Sequence, residues 1–409
     1  MLQQMDNQST AGGAHDVRID KLVYGGEGLA RLDGQVLLAP FVLPGELVRT
    51  RARRVKTGLL RSSDLHVLEP SPERALPRCE YFTTCGGCQY QHSNYTYQLQ
   101  QKVAILHETL QRLGGLEYNC GTHVIHGPEW EYRNRIQLHF AGRQLGFHRA
   151  GSHDLCAIDH CPIASPKLNE VIGKLAWAVQ RPEWPKFLRS LEVFTNENSI
   201  QLNMVDSIRP VAARFFEWCG TFMDGLAHNA IEYAAPSRKF RISRGSFFQV
   251  NRFLVDQLVT EVIGHSSGES AIDLYAGVGL FSLPLADRFH AVHAVERGGP
   301  AFRDLQANAA DLADRLHTQQ ISAEDYLATV STAPDLIVAD PPRAGLGKQA
   351  TTELLRLRAN SLKIVSCDPA TLARDITKLT SVYHIERLTL VDLFPQTYHF
   401  EVVAHMALK

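Results

Sequence analysis

The sequence predicts a multidomain α/β protein whose C-terminal part is a doubly wound sheet. Three observations predict it. From about Ser243 onward, strand-length apolar runs alternate with amphipathic helical stretches. The run Ala271-Ile-Asp-Leu-Tyr-Ala-Gly-Val-Gly-Leu280 carries a strand into a glycine turn and then a helix. Before Ser243 the pattern differs, with dense turn signals over residues 16–70 and mixed apolar–polar alternation over residues 71–242.

The chain has 409 residues, 44% of them apolar, which is enough for several folded domains. Lys and Arg total 42 against 43 Asp and Glu, so net charge says nothing about a polyanionic partner. No run of eighteen uncharged apolar residues occurs and the first sixteen residues are polar, so a cytoplasmic protein without a membrane partner is expected. In that compartment the eight cysteines are expected to bind metal or do chemistry rather than pair as disulfides.

Residues 1–15 are expected to form a disordered tail. Residues 16–70 should form a small β unit, with strands over Val17–Leu22, Val36–Ala39 and Glu46–Val55. Its turns fall at Gly25-Gly26, Asp33-Gly34 and Pro44-Gly45. Residues 17–62 hold nine Lys or Arg against four Asp or Glu, and Arg49, Arg51 and Arg53 share one strand face, an electrostatic footprint for phosphates. Pro70, Pro72 and Pro77 mark the boundary to a central α+β domain over 71–242. A helix is predicted there over Tyr95–Leu113, ended by Gly114-Gly115, with strands over Arg135–Phe140 and Ser199–Val205.

The last domain, residues 243–409, opens its sheet at Ala271. Gly277 and Gly279 would let backbone approach a ligand, and a helix over Phe281–Phe289 should follow. The second strand, Ala291–Glu296, ends in a carboxylate placed to accept ribose hydroxyls. A third strand ends near Ser322–Asp325, where adenine contacts are expected. A fourth, Asp335–Asp340, is stopped by Pro341-Pro342, and a fifth, Lys363–Ser366, delivers Cys367 to the crevice. A thiolate there would be the best side-chain nucleophile near neutral pH. The helix start near Thr371 and the Arg343 charge would favour the thiolate, while Asp368 would oppose it. The final strands, His384–Leu393 and His399–Met406, form a reversed pair. That pair, and Ser282 where a dinucleotide fingerprint needs its third glycine, argue for a methyltransferase-type sheet over a dehydrogenase.

Cys79-x5-Cys85-Gly-Gly-Cys88 places three sulfurs in ten residues, and Cys161 before Pro162 supplies a fourth, with Cys156 as its rival. Four thiolates suit a [4Fe–4S] cluster or a structural zinc, and spacing alone leaves both open.

Five stretches carry a resemblance. They are Ser246-Phe-Phe-Gln-Val-Asn251, Asp273-Leu-Tyr-Ala-Gly-Val-Gly279, Asp340-Pro-Pro-Arg343, Ser366-Cys-Asp-Pro-Ala-Thr-Leu-Ala-Arg-Asp375 and Asp392-Leu-Phe-Pro-Gln-Thr-Tyr-His-Phe-Glu401. With them the chain resembles the bacterial RNA uracil-C5-methyltransferases, in the branch with a TRAM domain and an iron–sulfur cluster. The resemblance implies an N-terminal OB-like β-barrel (TRAM), a central domain with the cluster, and a Rossmann-like class I methyltransferase domain. It implies S-adenosyl-L-methionine as methyl donor and a [4Fe–4S] cluster on Cys79, Cys85, Cys88 and Cys161. It also implies that Cys367 adds to uracil C6 and Glu401 removes the C5 proton, while Gln249, Tyr275, Glu296 and Asp340 hold the donor. Leu280 stands where some members carry a polar donor contact, so that role is not carried over.

The expected partner is RNA, 23S rRNA ahead of tRNA, acted on by a monomer. The target base must leave its stack to be attacked. Phe247 and Phe248 are candidate wedges, and Tyr132-Arg-Asn-Arg135 and Gly146-Phe-His-Arg149 are candidate RNA contacts. Two other functions compete. A non-catalytic RNA-binding or assembly protein would not need Cys367, Glu401 and the donor residues all intact. A cytosine methyltransferase on RNA would typically use a second active-site cysteine, which is absent near this site.

Overall fold

The structure, a computed structural model, describes residues 13–235 and 238–409. Most of the expected tail, residues 1–12, lies outside the described residues. The chain divides into two compact units. The first runs to Ile105 and takes in Gln396–Tyr398; the second comprises Leu106–Pro395 and His399–Lys409.

The first unit is β-rich. Its strands are β1 (His15–Arg18), β2 (Lys21–Leu22), β3 (Glu27–Leu32), β4 (Gln35–Pro40), β5 (Leu47–Lys56) and β6 (Leu59–Glu69), in one sheet of order β1-β5-β6-β4-β3-β2. The expected turns are present, with Gly25, Gly26, Gly34 and Gly45 all at positive φ. Alternation along β5 buries Val48 and Thr50 and exposes Arg49, Arg51 and Arg53, as its sequence predicts. Val17, Ile19, Leu37, Ala39, Val42 and Val48 form the core. Glu46, fully buried, ties the following loop to this core. It accepts from Arg74 at 2.5 and 2.7 Å and from the N–H groups of Leu43 and Ser71. Strands β3 and β6 were absent from the sequence expectation. The helix α1 (Tyr95–Gly114) matches it within one residue.

The second unit holds three sheets. After β7 (His123–Ile125) come β8 (Arg135–Ala141), β9 (Gln144–His148), β10 (Leu155–Ala157), α2 (Pro166–Ala178), β11 (Leu188–Thr195) and β12 (Ile200–Ser207). These strands make an antiparallel sheet of order β10-β9-β8-β11-β12. Ser165 caps α2 by accepting from the Leu168 N–H, and Pro166 opens the helix. Helix α3 (Ala213–Gly220) and the hairpin β13 (Ala230–Ala235) and β14 (Arg238–Ser243) follow.

The last sheet is built from α4 (Val255–Ile263), β15 (Gly268–Leu274), α5 (Ser282–Ala286), β16 (Phe289–Val295), α6 (Gly299–Asn308), β17 (Leu316–Gln319), α7 (Ala323–Thr329), β18 (Leu336–Ala339), α8 (Gly347–Leu357), β19 (Ser361–Ser366), α9 (Pro369–Leu379), β20 (Tyr383–Val391) and β21 (Glu401–Leu408). Its order is β17-β16-β15-β18-β19-β21-β20-β7. The pairs among β15 to β19 are parallel, and β21 is antiparallel to both β19 and β20. That is the reversed terminal pair expected from the sequence. Helix α5 is shorter than predicted, because Phe289 already pairs with Gly268 in the sheet. The central strands are apolar on both faces because helices cover both; Leu336–Ala339 is buried throughout. No described helix is long and apolar enough to cross a membrane.

Candidate active site

Parallel strands present their carboxyl ends at one edge of a sheet, and loops leaving those ends build the site. Tyr275 follows β15, Glu296 follows β16, Asp340 follows β18 and Cys367 follows β19. Glu401 opens the reversed strand β21. All five line one cavity of about 920 Å³, together with Gln249, Arg133, Phe247, Phe394 and Arg343. A second cavity of about 790 Å³, around Thr195–Ser199 and Tyr233, contains none of the five.

Register brings the sulfur and the carboxyl together. Ser366 pairs with Val402 across the antiparallel β19–β21 ladder, so Cys367 and Glu401 stand opposite each other one step beyond the last pair. Residues so opposed have Cα atoms about 4.5–5.5 Å apart. Phe400 and Val402 flank Glu401 as buried anchors, and Glu401 itself is only 8% exposed. Cys367 is half-buried. Asp368 caps α9 by accepting from the Thr371 N–H at 2.8 Å, and Pro369 starts the helix. The Asp368 carboxylate is therefore engaged at the helix start.

The electrostatics favour neutral groups. Burial pushes the Cys367 thiol up to about 11, the neighbouring Glu401 and Asp340 carboxyls push the same way, and the exposed Arg343 guanidinium opposes them. Burial also holds Glu401 well above the usual carboxyl range, reinforced by Asp340 and opposed by Arg343. Asp340 is pushed up to about 7 by burial. Burial thus disfavours the charged forms of both the thiol and the carboxyl facing it. The thiolate favoured by Arg343 and the helix start in the sequence is outweighed by desolvation.

The other half of the cavity is shaped for a nucleoside. Gly277 lies at φ +58° with open space where a Cβ would point. Its N–H donates to Glu296 Oε2 at 2.9 Å, and Glu296 also accepts from the Gly298 N–H. Tyr275 sits at φ 61°, a strained conformation for a non-glycine residue and one that clusters at ligand sites. Gln249 is 6% exposed, its carbonyl accepting from Asn134 Nδ2 at 3.1 Å. Asp273 is buried beneath the glycine turn. Its Oδ2 accepts from the Ser282 hydroxyl, while Oδ1 has no hydrogen-bond partner among the described residues. Burial pushes Asp273 up to about 7 against the Ser282 hydrogen bond, with Asp340 and Glu296 adding to the rise. These features fit a cationic nucleoside donor such as S-adenosylmethionine. Its ribose would meet Glu296 and its charge the carboxyl group set.

Some sequence candidates are placed elsewhere. Tyr132 is fully buried and donates to the Pro395 carbonyl, and Arg135 is buried against Glu192 at 2.8 Å and over the Phe194 ring. Both are structural; of that segment only Arg133 lines the cavity. Phe247 and Phe248 both line the cavity, but Phe248 is 2% exposed and packs on Tyr233, whereas Phe247 is 60% exposed. Phe394, which lines the cavity, and Asp273, buried beneath its glycine turn, were given no role by the sequence reading. Both lie inside quoted motifs, and no spacing rule singled them out.

The cysteines divide between the units: Cys79, Cys85 and Cys88 belong to the first and Cys161 to the second. The donor chemistry of the loop suits a thiolate-bound centre, since the Gly87 N–H points at Cys85 Sγ at 3.4 Å. Among the described residues, however, no three His, Cys, Asp or Glu side chains are grouped so as to hold a metal ion.

The strand order and the nucleoside-shaped cavity at its carboxyl edge define an S-adenosylmethionine-dependent methyltransferase. A family profile described as tRNA (Uracil-5-)-methyltransferase matches residues 226–408. The chain is 31% identical over 418 residues to the 23S rRNA (uracil(1939)-C(5))-methyltransferase RlmD of Cronobacter sakazakii, covering 95% of each chain. It is 30% identical to an uncharacterized RNA methyltransferase of Aquifex aeolicus, covering 96% of this chain and 98% of that one. Among solved structures, the tRNA (uracil-54, C5)-methyltransferase of Pyrococcus abyssi in complex with S-adenosyl-L-homocysteine superposes with a TM-score of 0.78 at 26% identity. That match covers 96% of this chain and all of the other. The chain belongs to the RNA uracil-C5-methyltransferase family.

Proposed function

We propose that this protein methylates C5 of a uridine in 23S rRNA by transient covalent addition of Cys367 to the pyrimidine. The observation that carries the reading is the opposition of Cys367 and Glu401 at adjacent strand ends in one cavity. Uracil C5 is a weak carbon nucleophile. Cys367 Sγ adds to C6, the S–H proton leaves to solvent, and the C5=C6 electron pair moves onto O4 as an enolate. S-adenosylmethionine supplies an electrophilic methyl group on a sulfonium. Once C5 carries that methyl, Glu401 in its ionised form removes the C5 proton. The S–C6 bond then breaks, restoring C5=C6 and releasing the sulfur. Gln249, Tyr275 and Glu296 hold the donor, and Asp340 sits between donor and pyrimidine. Phe247, exposed beside the cavity, is the residue to fill the stack the flipped base leaves.

The N-terminal β unit is read as a TRAM-like RNA-binding module. Arg49 pairs with Asp16 at 2.7 Å, which leaves Arg53, Arg54 and Lys56, without ion pairs among the described residues, as its phosphate contacts. Cys79, Cys85, Cys88 and Cys161 are proposed to carry the [4Fe–4S] cluster; their spacing admits a thiolate-bound centre, and the family resemblance favours iron–sulfur over zinc. Purified protein should then be brown, with broad absorption near ~400 nm, and a colourless protein without iron would refute this part.

The relatives from Cronobacter sakazakii and Shewanella amazonensis that are named as 23S rRNA enzymes favour that substrate. The similarity to the Pyrococcus abyssi enzyme favours tRNA as a second reading. The test is transfer of labelled methyl from S-adenosylmethionine to unmodified 23S rRNA and tRNA, with 5-methyluridine mapped in each. Cys367→Ala should abolish transfer. Undiminished turnover by that variant would remove the covalent mechanism, and methylation confined to tRNA would overturn the rRNA assignment.

A further inference from the structure

Outside the cavity, the second unit carries an aromatic row with an arginine at each end. Arg244 lies over the Phe216 ring at 4.2 Å, immediately before the cavity-lining Gly245. Phe216 meets Phe215 at 5.5 Å, and Phe215 meets Trp218 at 6.1 Å. Trp218 meets Phe222 at 5.0 Å and Phe222 meets Trp177 at 5.2 Å. Arg181 closes the row over Trp177 at 4.3 Å. Phe215 is the buried anchor; Phe216, Trp218 and Phe222 are half-buried, and Trp177 is 45% exposed.

Two properties separate this row from an ordinary minor core. Beyond the buried Phe215, none of its rings is fully buried. Its terminal cations are also uncommitted. Neither Arg181 nor Arg244 has an ion-pair partner among the described residues, and the Nε of Arg244 is buried with no hydrogen-bond partner there. Burial lowers Arg244 from its ordinary value, with no anion to offset the cost. Segments 177–189 and 208–224 together carry five Lys or Arg against three Asp or Glu. Partly exposed rings flanked by guanidinium groups without ion pairs are the makeup of a single-strand nucleic-acid platform, where bases stack and arginines meet phosphates.

We propose that this row is a docking surface for single-stranded RNA flanking the target uridine, leading away from the mouth of the cavity at Phe247. The inference rests on the methyltransferase reading above and adds a substrate requirement to it: unpaired nucleotides beside the target. Trp177 and Phe222 stack bases, and Arg181 and Arg244 contact phosphates.

The test compares two RNAs, a short hairpin holding only the target loop and the same hairpin with a single-stranded flank of about ten nucleotides. The full-length protein should bind the flanked RNA about tenfold more tightly than the short one, with quenching of tryptophan fluorescence. In Trp177→Ala and in Arg181→Ala/Arg244→Ala that advantage should vanish, and Trp177→Phe should retain most of it. For the double arginine variant, the salt dependence of binding to the flanked RNA should also flatten by roughly 0.7 per cation removed. Far-UV circular dichroism and a urea midpoint identify any variant that fails to fold, and whichever of Trp177→Ala and the double arginine variant folds then carries the comparison. Equal affinity of the wild-type protein for both RNAs, with both methylated, would overturn this surface while leaving the proposed function standing. Absence of methylation on any uridine would overturn the function itself. Self-association that Trp177→Ala abolishes, without any flank preference, would assign the row to a second copy of the chain and refute the proposal.

Discussion

The elevated Cys367 thiol has a direct chemical signature. A group near 11 leaves roughly three thiolates in ten thousand at pH 7.5, because each pH unit below the midpoint removes a factor of ten. Alkylation proceeds through the thiolate. In the free protein, carboxamidomethylation of Cys367 should therefore be slow at neutral pH and climb about tenfold per pH unit without levelling before pH 10. The perturbation is Glu401→Gln, which removes the carboxyl that ranks after burial among the causes of the rise. It should move the curve to lower pH without reaching ordinary thiol behaviour, because burial remains. Peptide mass spectrometry after timed iodoacetamide pulses from pH 6.5 to 10.5 reads Cys367 directly, and the exposed Cys120 serves as internal reference. A rate at Cys367 that levels by pH 8 in the wild-type protein would refute the raised thiol. So would a Glu401→Gln curve displaced to higher pH.

Three further outcomes are expected. Asp340 and Asp273, both pushed up to about 7, are neutral below that pH and ionised above it, so the sulfonium donor should be held several-fold more tightly at pH 8 than at pH 6. KM for S-adenosylmethionine at the two pH values checks this, and a KM that rises with pH would contradict it. Gly279→Ala places a Cβ 2.5 Å from Leu283 Cδ1 at φ +96°, so it should lose about 2 kcal/mol of stability and weaken donor binding, read by thermal melting with and without donor. Glu261 accepts from Thr389 at 2.6 Å and from His405 and Arg387 at 2.7 Å, and these partners outweigh burial to hold it down at about 2. A carboxyl lowered in this way contributes stability that is present above its ordinary value and lost as pH falls toward 2. Unfolding free energies from urea titration should decline over that window in the wild-type protein, and Glu261→Gln should start lower by roughly 2 kcal/mol with a flatter decline.

The strands of the catalytic sheet were legible along the chain, though not their lateral order, because parallel strands buried on both faces are nearly continuous apolar runs, and Asp335–Asp340 and Lys363–Ser366 read as such. The strand-end position of Cys367 could be read from the apolar run before it, whereas Glu401 was picked out only through its flanking motif. Their opposition depends on a ladder between strands 35 residues apart, which no local pattern encodes. Strand β6 escaped because most of it is exposed, so Leu59–Glu69 carries no clean alternation. Arg135 read as a candidate RNA contact because its sequence cannot show that Glu192 and Phe194 enclose it. The protonation state of Cys367 was illegible for the same reason, since desolvation depends on everything packed around the sulfur and Arg343 is a single visible charge.

Strand β7 pairs in parallel with β20, Thr389 against His123 and Val391 against Ile125, and so shields a flank of the catalytic sheet. A fragment cut where the family profile begins, at residue 226, would discard that cover and leave the amide and carbonyl groups of β20 bare. Such bare edges recruit other chains. A soluble catalytic fragment of this protein must therefore reach back at least to His123, more than a hundred residues before the matched region starts.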